Sequence, residues 1–116
     1  NVEELNLGQI SEKIAEFANK ARKKTLMEKD LKGATFTISS LGAIGGTGFT
    51  PIINPPEVAI LGVSRSNKVL ALDNNEIVEK TMTPLALSYD HRVINGVDAG
   101  EFMQEVKKLM EDYQND

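Results

Sequence analysis

The sequence predicts an α+β fold, or mixed α/β two-layer fold, in which helices cover one side of a β-sheet. Three observations support this prediction. Apolar residues recur with a helical period near both ends of the chain, alternate with polar residues in several segments between, and form one continuous run in the middle. The chain has 116 residues, of which 41% are hydrophobic, and this length suits one domain with a modest core.

Each predicted helix has an apolar stripe whose members are three or four residues apart. The first helix covers residues 7–23, and its stripe is Leu7, Ile10, Ile14, Phe17 and Ala21. The second covers residues 97–113, and its stripe is Ala99, Phe102, Val106, Leu109 and Tyr113. Asn6, with Gln9 three residues further on, is the predicted N-terminal cap of the first helix.

Strands are predicted at residues 35–39, 57–64, 68–72, 76–80 and 85–89. In the first of them Phe36 and Ile38 alternate with hydroxyl residues, so we expect Thr37 and Ser39 to lie on the face away from the core. The second strand is apolar on both faces, which is typical of a buried position. The third and fourth form a hairpin with its turn at residues 73–75.

Residues 42–56 contain too many glycines and prolines for a regular element, so we predict an ordered loop. Its remaining large residues are apolar enough to pack: Ile44, Phe49, Ile52 and Ile53. A phosphate-binding loop is not indicated, because the stretch has no Gly-Lys-Ser/Thr ending, no G-x-G-x-x-G frame and no following helix. The glycines are better explained by a loop that bends tightly and lets another chain or a ligand approach its backbone.

The composition disfavours several functional classes. The net charge of −4 gives no field that would attract nucleic acid, and no apolar run is long enough to span a membrane. The chain has no cysteine and one histidine, so disulfides and thiolate nucleophiles are excluded and we expect no metal site. It opens on Asn1 without a targeting segment, so we expect its natural beginning to lie upstream.

The only histidine, His91, lies between the last predicted strand and the C-terminal helix. Histidine can accept and return a proton near neutral pH, and such junctions often expose functional groups. Short polar residues on both sides, Asp90 and Asn95, suit a role in fixing the orientation of its ring. The same residues also suit an ordinary turn, in which Asp90 caps, Asn95 bends the chain and Arg92 pairs with an acid. Both interpretations can hold at once.

Two sets of residues together resemble a known family. One is Asp-His-Arg-Val-Ile-Asn-Gly at residues 90–96, and the other is Phe-Thr-Ile-Ser-Ser-Leu-Gly at 36–42 followed by Pro-Ile-Ile-Asn-Pro-Pro-Glu-Val-Ala-Ile-Leu-Gly-Val at 51–63. They are similar to the motifs of the dihydrolipoamide acyltransferases, the core subunits of 2-oxo acid dehydrogenase complexes, and more distantly to chloramphenicol acetyltransferase. The resemblance implies a chloramphenicol-acetyltransferase-like fold, with residues 1–116 as the C-terminal part of the catalytic domain.

The resemblance also implies a chemistry and its residues. His91 is expected to be the general base that takes a proton from a thiol, and the substrates are coenzyme A and a lipoyl group carried on a separate domain. Ser39 is expected to donate a hydrogen bond to the oxyanion, with Ser40 as the weaker candidate. Asn95 completes the expected site; many members carry aspartate there, whereas asparagine can only orient its partners through hydrogen bonds.

In the family the site forms between neighbouring subunits of a trimer, and trimers build a larger hollow core, so Ser39 and His91 of one chain are not expected to meet. The resemblance favours the acetyl-transferring members of pyruvate dehydrogenase complexes, in a bacterial cytoplasm or, alternatively, a mitochondrial matrix. The lipoyl domain and the other complex subunits are the implied partners, and the resemblance leads us to expect the lipoyl and subunit-binding domains outside these 116 residues. The alternative is a truncated core fragment with a structural or assembly role and no catalysis.

Overall fold

The computed structural model describes residues 1–113 and divides the chain into two compact units, one at residues 1–34 and a second that begins at Thr35. The first unit consists of helix α1 (Leu7–Arg22) between two short 3-10 turns, Val2–Glu4 and Glu28–Leu31. The predicted cap is confirmed, because Gln9 N donates to Asn6 Oδ1 and Asn6 N donates to Gln9 Oε1, each at 2.9 Å. This reciprocal pair satisfies two N–H groups that the first turn leaves without helical partners.

The second unit contains the sheet and the C-terminal helix. Its elements are β1 (Thr37–Ser40), β2 (Ala59–Val63), β3 (Asn67–Asp73), β4 (Glu76–Met82), β5 (Leu85–Tyr89) and α2 (Gly96–Asp112). Strands β1, β2 and β5 form one sheet in that order, with β1 parallel and β5 antiparallel to β2, while β3 and β4 form a separate hairpin. The predicted mixture of helices and strands is therefore confirmed. Central strand β2 supplies most of the buried apolar residues, which are Ala59, Ile60, Leu61 and, from α2, Ala99.

Helix α2 contacts β5 on one face of the sheet, and the ring of Phe102 lies 5.7 Å from that of Phe36, just before β1. The expectation that Thr37 and Ser39 face away from the core is wrong. The alternation exists, but Thr37 and Ser39 are the half-buried residues of β1, whereas Ile38 is 67% exposed.

The reason is that the loop after β1 covers the opposite face. Ser88 on β5 donates its hydroxyl to the carbonyl of the buried Pro51 at 2.6 Å. A Cβ on Gly62 would lie 2.9 Å from Phe49 Cζ, so the loop packs directly on the glycine of β2. The expected packing of the loop is thus confirmed for Phe49 but is wrong for Ile44 and Ile52, which are 85% and 88% exposed.

Within residues 1–113, no helix has both the length and the apolar character needed to cross a bilayer.

Candidate functional site

His91 lies on a tight turn that joins β5 to α2. Asp90 continues the strand pairing, since its N–H donates to Val58 O at 2.8 Å. The carbonyl of Asp90 then accepts from the N–H groups of Val93 and Ile94, both at 2.9 Å. The chain therefore turns immediately after the sheet edge, and His91 is the first residue beyond it.

The residues on either side of His91 form an ion pair. Asp90 Oδ1 accepts from the backbone N–H and from Nε of Arg92, both at 3.0 Å, and Oδ2 accepts from Arg92 Nη2 at 2.7 Å. Hydrogen bonds from Arg92 lower the pKa of Asp90 to about 2 and raise that of the guanidinium. The interpretation that Arg92 pairs with a nearby acid is confirmed.

The imidazole of His91 is exposed and lies beside one aromatic ring. Its centroid is 5.6 Å from that of Tyr89, with the ring planes inclined by 44°. Among the residues that the structure describes, no hydrogen bond to either ring nitrogen is found. The exposed imidazole is therefore accessible to a substrate or a neighbouring chain.

Asn95 does not orient His91 within this chain. Its Oδ1 accepts from Asp98 N at 2.9 Å and its Nδ2 donates to Asp98 Oδ2 at 2.8 Å. Asn95 is thus the N-terminal cap of α2, which satisfies a first-turn N–H group. The expected link between Asn95 and His91 is not present among residues 1–113, and Asn95 caps a helix, where the turn interpretation expected it to bend the chain.

Ser39 lies on β1, on the sheet face opposite α2. It is half-buried and is level with Gly62 of β2, whereas the neighbouring Ser40 is exposed. The pleat places Ser39 on the same face as Thr37, and Ser40 on the other. Ser39 and Ser40 are therefore not interchangeable positions.

Ser39 and His91 of one chain are far apart. Ser39 is level with Gly62, while Tyr89, the end of β5, is level with Ala59. Strand rise and strand spacing separate Ser39 from Tyr89 by about 10 Å along the sheet and about 10 Å across it, so that the two Cα atoms are roughly 14 Å apart. His91 lies two residues beyond Tyr89. Within one chain, Ser39 and His91 are therefore too far apart to act on the same reacting group.

Sequence reasoning missed a polar cluster beside β1. Both oxygens of the Glu57 carboxylate accept from the Thr37 hydroxyl, at 2.8 and 3.0 Å, and one also accepts from Asn54 Nδ2 at 3.2 Å. The signal was the acidic residue directly after Asn-Pro-Pro and directly before the buried strand. This cluster fixes the loop to β1 two residues before Ser39.

Two surface grooves of the described chain lie along α2 and not at these residues. One, of about 670 Å³, includes Gly96, Gly100 and Glu101; the other, of about 520 Å³, includes Met82, Met103 and Met110. Neither is lined by Ser39, His91 or Asn95. No cluster of three metal-binding side chains is found within residues 1–113.

Comparisons with known proteins agree over nearly the whole chain. The model of the family "2-oxoacid dehydrogenases acyltransferase (catalytic domain)" matches residues 1–115. A relative from Pseudomonas aeruginosa, the dihydrolipoyllysine-residue acetyltransferase component of its pyruvate dehydrogenase complex, is 50% identical over 112 residues, which are 97% of this chain and 20% of the relative.

Two solved structures are similarly close. One is the Azotobacter vinelandii dihydrolipoamide acetyltransferase, investigated for the role of a serine, a histidine and an asparagine in its catalytic mechanism; it is 50% identical, with a TM-score of 0.93. The other is the cubic core of the pyruvate dehydrogenase multienzyme complex, 51% identical, with a TM-score of 0.93. Both matches cover 97% of this chain and 46% of the solved chain, so the chain spans less than half of these structures.

Proposed function

Because this chain belongs to the acyltransferase family of the 2-oxoacid dehydrogenases, we propose that it supplies residues for acetyl transfer between coenzyme A and a dihydrolipoyl group. His91 is the general base, Ser39 donates to the oxyanion, and Asn95 completes the site. The acetyl group is favoured because the Pseudomonas aeruginosa and Azotobacter vinelandii relatives carry acetyltransferase names at 50% identity.

One observation carries the assignment of residues. In the Azotobacter vinelandii enzyme the investigated serine precedes the histidine by 52 positions, and the asparagine follows it by four. Ser39, His91 and Asn95 have the same residue types in the same order, and their numbers also differ by 52 and by four. Two equal separations in a match over 97% of the chain support a shared site.

The proposed reaction begins when the His91 imidazole removes the proton of one thiol. The thiolate attacks the carbonyl carbon of the acetyl thioester, and the Ser39 hydroxyl donates a hydrogen bond to the oxygen that becomes negative. The tetrahedral intermediate then expels the second thiolate, which takes the proton back from the imidazolium. The acetyl group has moved from one thiol to the other, and the imidazole has returned to its starting protonation state.

The expected energies assign comparable weight to the base and the donor. A positioned general base typically contributes about a hundredfold to ten-thousandfold in rate, or about 2.7 to 5.4 kcal/mol. One well-placed oxyanion donor typically contributes about 2.7 to 4 kcal/mol. Loss of either side chain should therefore slow the reaction by orders of magnitude.

The separation of Ser39 from the end of β5 supports a site made by two subunits. We propose that His91 of one subunit meets the serine-bearing strand of its neighbour in a trimer, which assembles into a larger core. A ring of three subunits uses head-to-tail contacts, so each interface brings together two different surfaces. The exposed imidazole is compatible with this arrangement. A separate lipoyl domain would deliver the second thiol.

Mixing two inactive variants tests the function and the shared site together. We expect Ser39→Ala and His91→Ala each to lose acetyl transfer from acetyl-CoA to dihydrolipoamide in the full assembled protein. Subunits exchanged between the two should recover about one quarter of wild-type activity, because one interface in four pairs an intact serine with an intact histidine. Full activity of His91→Ala would contradict the function, and no recovery on mixing would contradict the shared site.

The second candidate is a core fragment without catalysis. It is favoured by the distance between Ser39 and the end of β5, which leaves a single chain without a complete pair of catalytic side chains. Under this alternative the 116-residue chain associates but does not transfer acetyl groups, whatever its residue at position 91. Activity that appears only after addition of the remaining part of the catalytic domain would identify the chain as a piece of an enzyme.

A further inference from the structure

We propose that the Asp90–Arg92 ion pair is a clamp that positions His91 for proton transfer. This inference rests on the proposed function. Neither Asp90 nor Arg92 is assigned contact with a substrate; both act through the backbone that carries His91.

Asp90 holds the beginning of the clamp to the sheet. Its N–H extends the pairing of β5 with the segment that leads into β2, through the bond to Val58 O. Its carbonyl accepts from two N–H groups of the following turn. The side chain of Asp90 is only 22% exposed, so the protein encloses most of it, but its carboxylate can still bind Arg92.

Arg92 closes the clamp from the far side of His91. The carboxylate of Asp90 accepts one backbone bond and two guanidinium bonds from Arg92, at 2.7 to 3.0 Å. The backbone on both sides of His91 is therefore tied to a single carboxylate. A two-point contact between guanidinium and carboxylate also fixes direction, which a single ammonium contact does not.

A role in fold stability explains this pair poorly. The side chain of Arg92 is 90% exposed, and an exposed ion pair contributes little to stability because solvent screens it and both side chains lose freedom. Placement of a catalytic group is far more sensitive, since a shift of about 1 Å can reduce a rate by about a hundredfold. The pair is well suited to hold His91 and poorly suited to hold the fold.

The experiment uses Arg92→Met, Arg92→Lys, Asp90→Asn and the double variant Asp90→Asn/Arg92→Met in the full assembled protein. We expect each of Arg92→Met and Asp90→Asn to reduce kcat by about tenfold or more with KM for dihydrolipoamide unchanged. The double variant should be no slower than the slower single variant, because both single variants disrupt the same guanidinium–carboxylate contact. Arg92→Lys should recover part of kcat, since it keeps the charge but not the fork.

Lys107→Met is the matched control, because it removes an exposed ion pair to Glu111 on α2. It should leave kcat unchanged. Three results would each overturn the clamp: wild-type kcat in Arg92→Met, additive losses in the double variant, or a raised KM with kcat unchanged, which would make Arg92 a substrate contact. Arg92→Met keeps the comparison possible if Asp90→Asn does not fold, because the Arg92 side chain lies almost entirely in solvent.

His91→Ala distinguishes a failure of the clamp from a failure of the proposed function. If His91→Ala retains activity, the proposed function is wrong and the clamp has nothing to position. If His91→Ala is inactive while the clamp variants keep wild-type kcat, the clamp alone is wrong.

Discussion

Asn95 and Asp98 bind each other reciprocally at the beginning of α2. The amide Nδ2 of Asn95 donates to Asp98 Oδ2 at 2.8 Å, while its Oδ1 accepts from Asp98 N at 2.9 Å. A residue proposed for the site is thus also a structural cap, and a simple deletion of its side chain affects both roles. A loss of activity can therefore be assigned to catalysis only with a variant of Asn95 that keeps the cap.

Asn95→Ser and Asn95→Ala separate the two roles. Alanine removes the cap and should lower the free energy of unfolding by about 1 kcal/mol, whereas serine still offers an oxygen to Asp98 N and should cost much less. If the amide serves catalysis, both variants lose acetyl transfer although only one is destabilised. Denaturant unfolding and steady-state assays measure the two effects. An active Asn95→Ser variant would restrict Asn95 to capping.

Local interactions were the part of the structure that the sequence predicted well. Asn6 and Gln9 are three residues apart, so the cap of α1 follows from local geometry alone. The continuous apolar run of β2 likewise requires burial on both faces, and that strand is the centre of its sheet. These predictions need no knowledge of distant contacts.

Contacts between distant segments were predicted less well. The alternation in β1 was predicted correctly, but alternation does not indicate which face another segment will cover. The loop that carries Phe49 and Pro51 covers the face of Ser39, and Ile38 on the other face stays exposed. For the site, the motif placed His91 at the end of β5, but the cap formed by Asn95 was missed although its partner Asp98 is only three residues away. Spacing alone did not distinguish a cap from a ligand of the histidine.

The acid titration of Asp90 reports directly on the ion pair. Its pKa is lowered to about 2 by Arg92, so any stability from the pair is fully present above the ordinary value near 3.9 and is lost as pH falls towards about 2. In Arg92→Met the midpoint should rise towards the ordinary value near 3.9 without reaching it, because the backbone N–H of residue 92 still donates to the carboxylate. The carboxyl carbon chemical shift of Asp90 measures this. Lys107→Met should leave the midpoint unchanged, and an unchanged midpoint in Arg92→Met would show that another group holds the carboxylate.

Gly62 is predicted to tolerate no side chain. A Cβ there would lie 2.9 Å from Phe49 Cζ and 3.2 Å from two carbons of the Pro51 ring, so Gly62→Ala should destabilise by about 1 to 3 kcal/mol. Gly100→Ala is the control, because its Cβ meets nothing within 4 Å and α2 should gain up to about 1 kcal/mol. Unfolding at fixed protein concentration measures both. Equal stability of Gly62→Ala and wild type would show that the loop does not pack on β2.

Asn75 is predicted to be replaceable by glycine but not by alanine. The turn between β3 and β4 has positive φ at both central residues, 49° at Asn74 and 63° at Asn75, a conformation that favours Asn-Gly and disfavours residues with a plain Cβ. Asn75→Ala should destabilise the hairpin by about 1 kcal/mol, and Asn75→Gly should retain or increase its stability. Hydrogen exchange at the backbone amides of β3 and β4 measures this local stability. Equal protection in the alanine and glycine variants would mean that the left-handed backbone at position 75 is not what sets the stability of the hairpin.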